Sequence, residues 1–142
     1  MKLRLATEED IPLLVRFNRR LIEDEGHENR LSSSELKQRM TGWMRGDYTA
    51  VMFEHERQTA GYVLYRLDAL VVYIRHFYID RPMRRRGVGR AAMHLLIEEV
   101  WPHDTRVLLD VRVINGGGYA FWKALGFREY SVMLELPPHS GD

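Results

Sequence analysis

The chain has 142 residues, 45% of them hydrophobic, with 21 basic against 20 acidic side chains and a formal net charge of +1; that length suits one compact domain and leaves no room for a second. The absence of cysteine excludes a disulfide framework, a thiolate metal site and a cysteine nucleophile, and fits a reducing compartment. The first residues, MKLRLATEEDIPLL, lack the charged start and apolar run of a leader, and no stretch of about 18 apolar residues occurs, so a soluble, cytoplasmic protein is expected.

KLRLA alternates and predicts a short strand. TEEDIPLLVRFNRRLIEDE follows with Thr7 as its cap and Ile11, Leu14, Val15, Phe17, Leu21 and Ile22 at helical spacing, until Gly26 stops it. HENRL is a connector. SSSELKQRM carries serine caps into a second helix that ends near Gly46. YTAVMFE, AGYVLYRL and VVYIRHFYI are β-rich runs separated by HERQT and DAL, short enough for an antiparallel meander. The third run delivers the chain into DRPMRRRGVG and a helix from about Gly87 to Val100, with Ala91, Ala92, Leu95, Leu96 and Val100 as its buried stripe and Pro102 as its limit. RVLLDVRV predicts another strand, GGGYAFWKAL a fourth helix closed by Gly126, and FREYSVMLEL a last strand. Residues 1–136 thus form one domain and 137–142 a loose tail, with no repeat or linker.

Charge is unevenly placed. Arg81, Arg84, Arg85, Arg86 and Arg90 crowd one turn, while Glu23, Asp24, Glu25 and Glu28 crowd another. A strand entering a helix through a Gly-x-Gly turn presents unsatisfied N–H groups and the positive end of the helix dipole, which favour a phosphate. Gly87 and Gly89 allow close approach, and arginines add charge-assisted, bidentate bonds, so a pyrophosphate fits. The turn has neither the lysine and hydroxyl of a P-loop nor the GxGxxG of a dinucleotide fold. Solvated arginines around a structural turn are the bland alternative.

FYIDRPMRRRGVGRAAMHLL resembles motif A of the GNAT N-acetyltransferases, with Arg84, Gly87 and Gly89 filling the signature Arg/Gln-x-x-Gly-x-Gly/Ala. LDVRVINGGGYAFWKALGF is similar to the family's second signature through Asn115, Leu125, Gly126 and Phe127. The resemblance spans essentially the whole chain. It implies an α/β (α+β) fold: a central mixed, mostly antiparallel sheet, helices on both faces, and a parallel strand pair that splays to form an acetyl-CoA cleft. It further implies that backbone groups of Phe77, Tyr78 and Ile79 hold the pantetheine and thioester, that Arg84 and residues Arg85, Arg86, Gly87, Val88, Gly89 and Arg90 hold the pyrophosphate, and that Asn115 and the following helix, with Trp122, border the cofactor arm. No metal is expected.

Transfer to an amine requires loss of its proton, because a lysine-like amine with a pKa of about 10 is mostly charged at neutrality. Asp110 stands where some relatives carry a glutamate base; Glu25, at the exit of the first helix, and His76, whose free pKa is near neutrality, are the other candidates. Trp122 departs from the family, many of whose members have there a tyrosine that protonates the leaving sulfur. Indole is no acid, and Tyr119, one turn earlier, is a conceivable substitute.

The expected activity is therefore acetyl-CoA-dependent acetylation of a primary amine, on a small molecule or peptide, by direct attack. Carboxylates in LIEDEGHEN would draw in a cationic acceptor. The rival readings are a noncatalytic acyl-CoA sensor, which would tolerate Trp122, and nucleic-acid binding, which the near-zero net charge argues against. No membrane partner is expected, and a homodimer is compatible with such a fold.

Overall fold

The computed structural model describes residues 1–26 and 30–139. A five-stranded sheet in sequential order forms the centre: β1 (Lys2–Leu5), β2 (Tyr48–His55), β3 (Gln58–Asp68), β4 (Val71–Ile79) and β5 (Arg106–Leu109). The first four strands pair antiparallel and β5 joins β4 in parallel. Among the described residues four helices cover it: α1 (Ile11–Asp24), α2 (Ser33–Arg45), α3 (Val88–Leu95) and α4 (Gly116–Ala124). The mixed, mostly antiparallel sheet with covered faces is the expected fold.

Local chemistry sets most boundaries. The Asp10 carboxylate accepts from the Thr7 N–H at 2.8 Å, starting a single 3₁₀ turn that leads into α1, and Gly26 ends that helix at φ +71°. Ser32 and Glu35 cap α2 reciprocally, at 3.1 and 3.0 Å. Glu56 and Arg57 both take positive φ, the two-residue turn that the right-handed twist of β2 and β3 favours.

Two cores lie on opposite faces. Leu14 and Phe17 of α1 and Met40 of α2 pack on Ala50, Met52, Tyr62, Leu64 and Tyr78. On the other face, Val88, Ala92, Met93, Leu96 and Trp101 pack on Val51, Phe53, Val63, Val72 and Ile74, with Trp122 and Leu125 adding the α4 contribution. A bulge in β4 governs which residue serves which face. Leu64 stands opposite His76 and Tyr65 opposite Ile74, so Arg75 has no counterpart on β3. Before it, Val72 and Ile74 face α3; beyond it, Phe77 and Ile79 do.

Three expectations need correction. The third helix does not continue regularly to Val100: after Leu95 the chain makes a π turn over Leu96–Val100, closed by the Trp101 N–H on the Leu96 carbonyl at 2.9 Å. The wider turn rotates the stripe, so Val100 is 39% exposed while Trp101 is buried. β5 ends at Leu109, four residues short of the predicted run, and Val113 is solvent-exposed. FREYSVMLEL forms no strand: among the described residues nothing pairs with it, and Val132, Met133, Leu134 and Leu136 are exposed. No helix among the described residues is long and apolar enough to cross a membrane.

Candidate active site

The β4–β5 ladder stops at Ile74 opposite Leu109, whereas β4 runs on to Ile79. The edge of residues 75–79 that faces β5 is therefore left without a strand partner among the described residues. This gap in the ladder leaves alternate main-chain donors and acceptors of β4 without such a partner. Immediately after it, Asp80 caps a 3₁₀ turn (Arg81–Met83) by accepting from the Arg81 N–H at 3.1 Å. The same carboxylate takes the Tyr78 hydroxyl and an Arg20 N–H, each at 2.8 Å. Burial, and then Asp80, pushes the Tyr78 phenol up to about 12.

Gly87 adopts φ +74° at the N-terminus of α3, a conformation that glycine takes without strain. Nothing lies within 4 Å of where its side chain would be, so the space before the helix is open. Gly89 is needed for packing: a Cβ there would stand 3.0 Å from the Phe121 ring. The first N–H groups of α3 lack intrahelical partners and point toward the open space. A diphosphate is chemically suited to this cradle, because Arg85, Arg86 and Arg90 surround it as exposed cations, Arg86 only 3.7 Å from Glu56.

The arginine run does not act as one unit. Arg84 donates through Nε to the Ile79 carbonyl at 2.7 Å, pairs with Asp24, and lies 5.4 Å over the Tyr78 ring. Arg81 pairs with Asp24 at 3.0 Å and Glu23 at 3.3 Å. These two guanidiniums lash the turn to α1, and Arg84, which the resemblance assigns to the pyrophosphate, is engaged by Asp24 and the Ile79 carbonyl. Glu23 and Asp24 are correspondingly engaged. Glu28 lies outside the described residues.

The remaining candidates separate by environment. Half-buried Glu25 has its carboxyl pushed up by burial, opposed by Arg112 and reinforced by Asp24. Asp110 follows directly on β5 and accepts from the Tyr73 hydroxyl at 2.8 Å, beside the start of the gap. His76 is buried; its Nδ1 lies 3.0 Å from the Tyr62 hydroxyl and its ring meets Trp43 edge-on at 5.2 Å. Burial, aided by Arg39 and Arg75, holds its pKa down to about 3, so it is neutral across the physiological range.

Asn115 caps α4 by accepting from the Gly118 N–H at 3.0 Å. Trp122 packs among Phe77, Phe121 and Phe127, with ring centroids 4.9–5.1 Å away. Phe77 is thereby tied to α4 while its backbone borders the gap. Tyr119 turns elsewhere and donates to Glu129 at 2.8 Å, which raises its pKa. The two rings on α4 thus have separate surroundings. Sequence reasoning missed Tyr73, Trp43, Arg39 and Arg75; nothing in their spacing announces that α2 and the β4 bulge meet.

Comparison with known proteins agrees with this geometry. The family model described as the acetyltransferase (GNAT) family matches residues 15–127. No curated protein matches the chain. A mutant protein from Bacillus halodurans superposes with a TM-score of 0.77 at 25% identity, over 98% of this chain and 100% of the other. A predicted acetyltransferase from Clostridium acetobutylicum, solved with acetyl-CoA, gives 0.73 at 21% identity, over 96% and 95%. An aminoglycoside 6′-N-acetyltransferase from Acinetobacter haemolyticus gives 0.76 at 17% identity, over 99% and 100%. The family match contains the parting strands, the glycine turn and both flanking helices, and it runs over most of the sequence; the chain belongs to the GNAT family of acetyltransferases.

Proposed function

We propose that the protein is an N-acetyltransferase that moves an acetyl group from acetyl-CoA to a primary amine by direct attack. One observation carries this reading. The lone edge of β4 leads straight into the open glycine turn and the start of α3, so an elongated ligand whose diphosphate rests at α3 would extend along residues 75–79 into the gap. Membership of the family implies acetyl-CoA, whose thioester supplies the activated acetyl group.

The chain's own part is binding, orientation and proton transfer. Main-chain donors of Val88, Gly89 and Arg90, with the Arg85, Arg86 and Arg90 side chains, hold the diphosphate. Backbone N–H groups of Phe77 and Ile79, which alternate with the β3-facing Tyr78 and Asp80, are the available donors for an oxygen that gains negative charge in the gap. Glu25 is the preferred proton acceptor, since burial brings a carboxyl closer to the pH at which it works. Asp110, fixed by Tyr73, is the second candidate.

Trp122 favours one alternative, a noncatalytic acyl-CoA sensor: it sits in an aromatic cluster and has no acidic proton, and Tyr119 is engaged with Glu129. Calorimetry with acetyl-CoA followed by thioester consumption over an amine panel separates the readings. Saturable binding with amine-dependent release of CoA is expected. Binding without transfer to any amine would leave the sensor, and a folded protein that binds neither acetyl-CoA nor CoA would end both readings.

A further inference from the structure

On the α1/α2 face, beside the place where β4 and β5 part, two guanidiniums stack on one indole. Arg39 of α2 lies 4.8 Å from the Trp43 ring centroid and Arg75, at the β4 bulge, lies 4.7 Å from it. Their hydrogen-bond partners are neutral: Asn18 Oδ1 accepts from Arg39 at 3.3 Å, and Tyr48 Oη from Arg75 at 3.2 Å. Arg39 Nε and Asn18 Nδ2 are buried without partners. Arg66 leans over the Tyr48 and Tyr73 rings nearby, each at 5.6 Å.

By contrast, Arg4, Arg20, Arg45, Arg81, Arg84 and Arg86 each reach a carboxylate. Neither Arg39 nor Arg75 has an ion-pair partner among the described residues. Stacking on aromatic faces leaves the in-plane N–H donors of a guanidinium available, and five donors per arginine exceed the single bond each makes here. Like charges held together, with Arg39 lowered by burial and by Arg75, favour a counter-ion.

We propose that Arg39 and Arg75 receive an oxyanion, carboxylate or phosphate, carried by the acceptor amine. This rests on the transferase reading and narrows its substrate class: the acceptor is an amine that also bears an acid. Arg75 immediately follows Ile74, the last β4 residue paired with β5, so the acid end would sit at the mouth of the gap and the amine within it. Fixing the acid by two planar donors orients the amine as well as binding it.

The test compares matched amines with acetyl-CoA: β-alanine, aminoethyl phosphate, ethanolamine and ethylenediamine. An acid-bearing amine should show at least a tenfold lower KM than the other two, and the better of the two acids identifies the oxyanion. Arg75→Gln and Arg39→Gln should each raise that KM about tenfold and raise the ethanolamine KM less than about threefold, and Arg75→Lys should lose less than Arg75→Gln. Equal KM across the panel, or equal losses for all amines, would overturn the proposal while transfer itself stood. If no amine is acetylated, calorimetry of both acid-bearing amines on CoA-loaded protein decides: uptake that Arg75→Gln abolishes supports the site, and no uptake refutes it.

A different observation concerns the chain beyond Phe127. Tyr130 is anchored by the Arg106 guanidinium, 4.6 Å from its ring, at the start of β5. After that point Val132, Met133, Leu134 and Leu136 are 74%, 91%, 88% and 95% exposed. β5 ends the sheet, with no strand on its outer edge among the described residues. An extended chain exposes roughly 1.45 Å² per dalton, so ten such residues carry about 1,700 Å². Two arms covering even a third of that would exceed the roughly 1,000 Å² expected of a biological interface.

We infer that two copies exchange these arms, each laying its apolar residues along the β5 edge of the other. A two-fold pair satisfies both edges at once, with the same contacts made twice. Sedimentation should show a dimer, twice 16.8 kDa per chain, that Leu134→Glu and, separately, removal of residues 131–139 convert to folded monomer by circular dichroism. A monomeric intact chain, or a dimer indifferent to both changes, would refute arm exchange.

Discussion

Glu25 illustrates how one carboxyl can carry opposite consequences for catalysis and stability. Its pKa is raised from 4.5 by burial, so between that value and its folded pKa the native state holds more protons than the unfolded chain. Stability therefore falls as pH rises through that window. Glu25→Gln should melt with the wild type at pH 4 and above it at pH 8, while removing the acid limb of the kcat/KM profile and at least tenfold of the rate. His76 behaves inversely. Held neutral down to about 3 against 6.5 when free, it contributes stability in full above pH 6.5 and loses it progressively as pH falls toward 3. Its ring resonances should stay unchanged from pH 8 to pH 5 in NMR, and His76→Gln should lessen the drop in melting temperature between pH 7 and pH 4. Gly61 is constrained by plain contact: a Cβ would meet the Tyr78 carbonyl at 1.9 Å. Gly61→Ala should cost about 3 kcal/mol, or roughly 10 °C in a thermal melt.

Among the elements, the turn from β4 to α3 divides its arginines by task. Substituting Arg85, Arg86 or Arg90 with Gln should weaken CoA binding by about 1.5 kcal/mol each, roughly tenfold in Kd by calorimetry, without changing the melt. Arg84→Gln should show the reverse, a loss of about 1–2 kcal/mol in stability with little direct effect on affinity, because its bonds run to Asp24 and the Ile79 carbonyl. A run of five arginines reads as one cationic site only while their partners are unknown, and Asp24 lies some sixty residues earlier. The helices were more legible. Ser32 with Glu35 and Gly46 bracket α2 because caps are local chemistry, whereas the π turn at Leu96–Val100 answers to tertiary packing around Trp101.

For the molecule as a whole, sheet order and two-sided coverage follow from short hairpins and alternating strands, and these were readable. The gap was readable only through the family's signatures, since where a parallel ladder stops depends on two strands distant in sequence. FREYSVMLEL has the alternation of a strand, but alternation says which side chains could be covered, not whether a neighbour is present to cover them. The same distinction applies inside β4. One unmatched residue at position 75 shifts the phase of everything after it, so a single strand feeds Val72 and Ile74, then Phe77 and Ile79, to the same helices. Excising Arg75 would leave plain alternation with Val72, Ile74, Phe77 and Ile79 still on one side, whereas flattening the bulge with every residue kept would transpose Phe77, Tyr78 and Ile79, putting a phenol where Phe53 and Phe121 now receive Phe77. Loss of this one residue should thus disturb the packing far less than an insertion beside it, which would need a second bulge to return the same side chains to the same helices.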